Sequence, residues 1–136
     1  MKTTHCYLIF CFLFCTSTLF PQTVQQGVTL AYNERNQKTP LGGVQIVIRD
    51  AGSTVSDVSR KFTLKFSTLK AGDRVIYRVI KKNGYELFNT DALAQWNISK
   101  DNKPFTIILC QSSKLKAIKD NYNRVASKSY EAQYRK

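Results

Sequence analysis

Histidine is almost missing from this chain: of 136 residues one is histidine, His5, and one is tryptophan, Trp96. Acidic residues are scarce too, nine against 21 lysines and arginines, for a formal net charge of +12. With a single histidine in an apolar leader, Ser-His and Cys-His couples and histidine-bearing metal sites have nothing to be built from. Glu34, Asp50, Asp57, Asp73, Glu86, Asp91, Asp101, Asp120 and Glu131 are dispersed along the chain. They form neither a carboxylate pair for acid–base work nor the Asp-x-Asp-x-Asp run of a calcium loop. The expectation is a protein that is not an enzyme and has no catalytic residues, cofactor or metal.

Cysteine is sparse once position is considered. Cys6, Cys11 and Cys15 sit in the apolar run 6–15, behind Lys2 and ahead of Thr16, Ser17 and Thr18. That order of basic, apolar and small polar residues is the pattern of a secretory signal peptide. The run falls short of the roughly 20 apolar residues that span a bilayer, and no later stretch is longer. Residues 1–22 are therefore expected to be an export signal, and the protein periplasmic or cell-surface associated. An uncleaved N-terminal anchor is the alternative; a lipoprotein is a third, poorly served by Phe10 and Phe14 ahead of the candidate cysteines. Cleavage would leave Cys110 alone, without an intrachain disulfide, as a small buried hydrophobe closing a strand.

The remaining stretch, about 110 residues, suits one domain with a modest core. Its main signal is an apolar period of two, which a strand with one buried face requires. A first strand is expected over 28–32, with Val28, Leu30 and Tyr32 on one face. Pro40 to Gly43 reads as a turn into a strand that places Val44, Ile46 and Ile48 inward. Phe62, Leu64 and Phe66 alternate with Thr63 and Lys65, the cleanest alternation in the chain. A long strand over 74–81 would set Val75, Tyr77 and Val79 against Ile76, Arg78 and Ile80. Asn83-Gly84 is a strong turn signal. Asn89 or Thr90 is expected to cap a short helix over 91–96, and Trp96 to close one end of the core.

The strand 105–110 is apolar on both faces, which predicts cover on its outer side as well. A helix over 113–135 is the expected cover: Leu115, Ile118, Tyr122 and Val125 fall on one stripe, with Asp120/Arg124 and Glu131/Arg135 as i,i+4 pairs. The stripe turns polar at Ser129 and Gln133, so the distal half is expected to project.

The order of these segments resembles the carboxypeptidase-regulatory-like domain of bacterial exported proteins, a transthyretin-like sandwich. The matching residues are Pro40, Leu41, Gly43, Val44 and Ile46; Ser56, Asp57, Phe62 and Leu64; Gly72, Asp73 and Val75; and Gly84, Tyr85 and Glu86, over about 27–110. The resemblance implies a mostly β, transthyretin-like or Ig-like antiparallel sandwich of about seven strands, with a short helix and a C-terminal α-helix. One departure is Arg60, where the family pattern places a turn glycine. The division expected is an export signal over 1–22, the sandwich over 27–111 and a basic amphipathic helix over 112–136.

In function, the resemblance implies a non-catalytic accessory or interaction module, a standalone or shortened form of a larger envelope protein's N-terminal domain. Leu115, Ile118, Tyr122 and Val125 are the candidate docking residues, for a protein partner in the cell envelope or for a second copy. The alternative is electrostatic binding of polyanions, an acidic glycan or lipid headgroups, through Lys61, Lys65, Arg74 and Arg78 on a shared sheet face. No run of stacking aromatics accompanies these basic residues, so sequence-specific nucleic-acid recognition is not expected.

Overall fold

The computed structural model describes residues 22–135. Apart from Gln22, the segment expected to be an export signal lies outside the described residues. Among those described, no helix is long and apolar enough to cross a membrane.

Among the described residues, eight strands form two sheets. In the larger, β1 (Thr23–Tyr32) pairs along one edge with β5 (Lys61–Phe66) and then β2 (Lys38–Pro40); along the other it pairs with β8 (Phe105–Gln111), which in turn pairs with β7 (Tyr85–Leu87). The smaller sheet has β3 (Gln45–Ile48) between β4 (Gly52–Val55) and β6 (Tyr77–Lys81). The core between them holds Val44, Ile46 and Ile48, then Phe62, Leu64 and Phe66, with Ile107 and Leu109 from β8. Each such side chain contributes roughly 1.5–3 kcal/mol by leaving water. The β-sandwich expected from the sequence is therefore present, with two refinements. There are eight strands where about seven were expected, and β1 and β8 run parallel. Parallel neighbours need a long crossover, and here most of the sandwich lies between them in sequence.

β1 is longer than its apolar pattern suggests. Thr23 to Val28 pair with Phe66 to Lys61, so a polar stretch becomes strand through its backbone. Gln25, Gly27, Thr29 and Ala31 face the core, while Val28, Leu30 and Tyr32 face the other side of the sheet. The buried Gln25 amide is satisfied: Nε2 donates to the carbonyls of Gln26 (2.7 Å) and Lys103 (3.0 Å), and Oε1 accepts from the Ser99 N–H (2.8 Å). A buried amide left unpaired would cost about 1–3 kcal/mol, so this residue ties β1 to the 97–104 loop.

The long strand expected over 74–81 is interrupted. Its register against β3 shifts, with Val47 opposite Val79 but Ile48 opposite Tyr77, leaving Arg78 as an extra residue. Before the bulge Val75 and Tyr77 point inward; after it Ile80 does, and Val79 is turned out. A bulge reverses the side-chain phase of everything beyond it, which simple alternation does not anticipate. Arg74 lies outside the strand, in an isolated bridge with Asn97.

Two helices complete the domain. α1 (Thr90–Ala94) buries Leu93, and the Trp96 that follows stacks on Phe105 with centroids 4.0 Å apart and planes 8° from parallel. α2 (Leu115–Tyr134) follows β8 through a 3-10 turn at Ser112–Lys114. The expected Asn89 or Thr90 side-chain cap on α1 is not made. The Asn89 amide acts on β8 instead: Nδ2 donates to the Thr106 carbonyl (2.9 Å) and Oδ1 accepts from the Ile108 N–H (2.8 Å). It takes the place of a peptide group one step beyond β7 and leaves nothing to cap the helix.

Candidate functional site

β8 is apolar on both faces because both are covered. Ile107 and Leu109 enter the core; Ile108 and Cys110 face outward, where Tyr32, Phe88, Leu115 and Ile118 pack with them into a second cluster. Ile118 is the key of this joint, 1% exposed, and it fixes the first two turns of α2 to the outer face of the larger sheet. Polar contacts hold the same turns against the β1–β2 hairpin. Lys114 Nζ lies 3.4 Å from Glu34 Oε2, and Asn121 Nδ2 donates to the Glu34 carbonyl (3.0 Å) and to Asn36 Oδ1 (3.3 Å). The hairpin is itself prepared by Asn33, whose side-chain oxygen accepts the N–H groups of Arg35 and Gln37. The exposed ion pair adds little, about 0–1 kcal/mol, and the apolar joint carries the attachment.

The four candidate docking residues thus divide. Leu115 and Ile118 pack inside the molecule, because the outer face of β8 needs them. Tyr122 and Val125 remain 49% and 43% exposed. Beyond them α2 leaves the sheet and carries Tyr130 and Tyr134, 63% and 71% exposed, with ring centroids 4.4 Å apart. These two tyrosines lie off the stripe read from the sequence; their i,i+4 spacing on the same helix was the available signal.

Tyr32, Phe88 and Tyr122 form an aromatic cluster at the edge of the joint. Tyr32 and Phe88 centroids are 4.9 Å apart, Phe88 and Tyr122 5.5 Å in an edge-to-face arrangement, and Tyr32 and Tyr122 6.3 Å. Edge-to-face pairs of this kind add about 0.5–1.5 kcal/mol beyond area burial. Beside them opens a cleft of about 640 Å³ between the sheet, α1 and α2, with these three rings and Ile108 among its lining. Lys38, Asp91 and Lys119 are its charged lining residues. Sequence reading missed this site because its walls come from the hairpin after β1, the β7–α1 junction and α2, far apart in the chain.

Two titratable groups in the joint are displaced from their ordinary range. Burial pushes the Cys110 thiol up, the Glu86 carboxylate adds to the rise, and Lys119 partly opposes it. Burial likewise raises the Tyr32 phenol, with Tyr122 adding to it. A raised thiol pKa keeps Cys110 protonated and weakly nucleophilic. Among the described residues, no group of three or more His, Cys, Asp or Glu side chains converges.

The basic residues singled out from the sequence do not share one face. Lys61 and Lys65 are exposed on β5 in the larger sheet, pointing away from the core. Arg78 is the bulge residue of β6 in the smaller sheet. The Arg74 guanidinium donates to the Ala94 carbonyl at the end of α1. The expected common surface needed both strands in one sheet, and their division between two sheets separates the pairs. No protein-family model, curated protein or solved structure matches this chain.

Proposed function

We propose that this protein is a non-catalytic interaction module of exported proteins, of the carboxypeptidase-regulatory-like kind, in which the sandwich is the carrier and the distal part of α2 engages a protein partner. The observation that carries this reading is the change of exposure along one helix. Ile118 is 1% exposed and anchors α2, whereas Val125, Tyr130 and Tyr134 are 43%, 63% and 71% exposed. Tyr130 and Tyr134 share one face of this anchored helix at i,i+4 spacing, the form of a helix-in-groove ligand, and tyrosines are favoured interface anchors; Val125 lies on a different face. The family part of the proposal is supported by the turn at 57–61. Asp57 Oδ1 accepts the Lys61 N–H at 2.8 Å, and Arg60, at the family's glycine position, has φ 70°.

The test is a triple variant, Val125→Ser, Tyr130→Ser and Tyr134→Ser, which leaves the joint at Ile118 untouched. Light scattering and envelope cross-linking are compared with the parent chain at low and high salt. Association that resists salt and disappears in the variant supports docking through the distal helix; association unchanged by the variant rejects it.

A second reading, binding of acidic glycans or anionic lipids, is favoured by Lys61 and Lys65, both exposed and four residues apart on the same face of β5. Retention on an anionic matrix that falls steeply with salt and is lost in Lys61→Ala/Lys65→Ala would select it.

A further inference from the structure

We infer that the cleft beside the aromatic cluster is a binding site for a small anionic amphiphile, a monocarboxylate with an apolar acyl or aromatic body. The volume of about 640 Å³ falls within the range of small-molecule sites, which are mostly apolar with a few polar groups at defined places. Its apolar surface comes from five places in the chain: Tyr32 on β1, Phe88 after β7, Ala92 on α1, Ile108 on β8 and Tyr122 on α2. Tyr122 remains 49% exposed although it touches two other rings, so one side of it is left for another apolar body.

The charge of the lining selects the head group. Two lysines, Lys38 and Lys119, line the cleft against a single acid, Asp91, and none of the three is ion-paired among the described residues. They come from different elements, Lys38 from β2 and Lys119 from α2. A carboxylate between them gains two cationic neighbours, while an ammonium there meets the same two charges as repulsion. Two of the other polar lining groups are engaged within the fold. The Asn89 amide is bound to Thr106 and Ile108, and Asn36 Oδ1 accepts from the Tyr32 hydroxyl at 3.2 Å and from Asn121. The lining groups without charge, Thr90, Asn123 and the Tyr122 hydroxyl among them, do not distinguish an anion from a cation, so discrimination by charge falls to the lysines. A ligand here also contacts both the sheet and α2, so its binding clamps the helix to the sandwich.

The site is independent of the distal residues Val125, Tyr130 and Tyr134, so it stands or falls apart from the partner-docking reading. The test uses the whole chain and decanoate below its micelle concentration, with decanol and decyltrimethylammonium as neutral and cationic probes of the same body. Binding is followed by calorimetry and by ring-proton shifts of Phe88 and Tyr122. The expected result is saturable one-site binding of decanoate, at least tenfold tighter than decanol and with no binding of the cation. The double variant Lys38→Glu/Lys119→Glu, confined to exposed side chains, is expected to lower decanoate affinity tenfold or more while leaving decanol unchanged. Absence of saturable binding, equal affinity for the three probes, decanoate binding indifferent to the charge reversal, or ring shifts confined to residues outside the cleft would overturn the inference. Binding to anionic phospholipid vesicles without binding of monomeric decanoate would overturn it as well.

Discussion

The ring of Phe62 occupies the space that a side chain at Gly27 would need. A Cβ built on Gly27 would lie 2.0 Å from Phe62 Cζ and within 2.6 Å of both neighbouring ring carbons. The two residues are direct partners across the β1–β5 ladder, so the glycine lets a core ring lie over the backbone of the adjacent strand. Gly27→Ala is expected to destabilise the fold by about 1–3 kcal/mol through overpacking. Combining it with Phe62→Leu should recover part of the loss. Chemical denaturation of the two single variants and the double variant measures the coupling; strictly additive losses would show that the two sites are independent.

Arg60 presents the opposite situation, a side chain where the backbone favours none. Its φ of 70° lies in the left-handed region, enforced by the Arg60 N–H donating to the Asp57 carbonyl (2.9 Å) and the paired bonds between Asp57 and Lys61. A non-glycine residue there costs about 1–2 kcal/mol, of which the greater freedom of glycine in the unfolded chain returns a part. Arg60→Gly is therefore expected to stabilise the domain by about 0.5–1 kcal/mol. A thermal or denaturant midpoint that falls instead would mean that the Arg60 side chain makes a larger packing contribution than its turn position implies.

Asn89 extends the β7–β8 pairing of the larger sheet by one step in a way no residue pattern announces. Asn89→Ala would leave the Thr106 carbonyl and the Ile108 N–H without their side-chain partners, a loss of about 1–3 kcal/mol for part-buried groups. Asn89→Asp keeps an acceptor for Ile108 but sets a carboxylate oxygen against the Thr106 carbonyl, so it should recover little. Amide exchange distinguishes this role from helix capping. The Ile108 N–H is expected to lose protection in Asn89→Ala, whereas faster exchange confined to α1 would assign the effect to the helix start.

The residues that sequence reading located well are those whose neighbours are a few positions away. Phe62, Leu64 and Phe66 announce their buried face by alternation, and the double apolar character of β8 pointed to the helix that covers it. What stayed hidden depends on contacts between distant segments. Gln25 reads as a surface amide until its partners at Ser99 and Lys103 are seen, and Thr29 is fully buried because its hydroxyl donates to the Leu41 carbonyl. The bulge at Arg78 reverses the phase of β6 without a glycine or proline to mark it. The cleft was equally invisible, since Lys38, Phe88 and Lys119 approach one another only through the topology.

Cys110 and Tyr32 make the joint under α2 sensitive to alkali. Both lie in the cluster around Ile118, and in both, burial raises the pKa; Glu86 and Tyr122 add to the respective shifts and Lys119 opposes that of the thiol. Below the ordinary values, about 8.5 for a thiol and about 10 for a phenol, each group is neutral in folded and unfolded chains alike. Above them the unfolded chain loses its proton first, so stability falls as pH rises from the ordinary value through the raised folded one. The melting temperature is expected to be level near neutrality and to decline from about pH 9 upward. Cys110→Ala should delay the onset of that decline relative to its own neutral-pH stability, leaving the phenol's part at higher pH. The thiol should react with an aromatic disulfide reagent only when the joint opens, because Cys110 has no exposed surface. A stability profile of identical shape with and without the thiol, or rapid labelling of the folded chain at neutral pH, would show that Cys110 is not sealed beneath the helix.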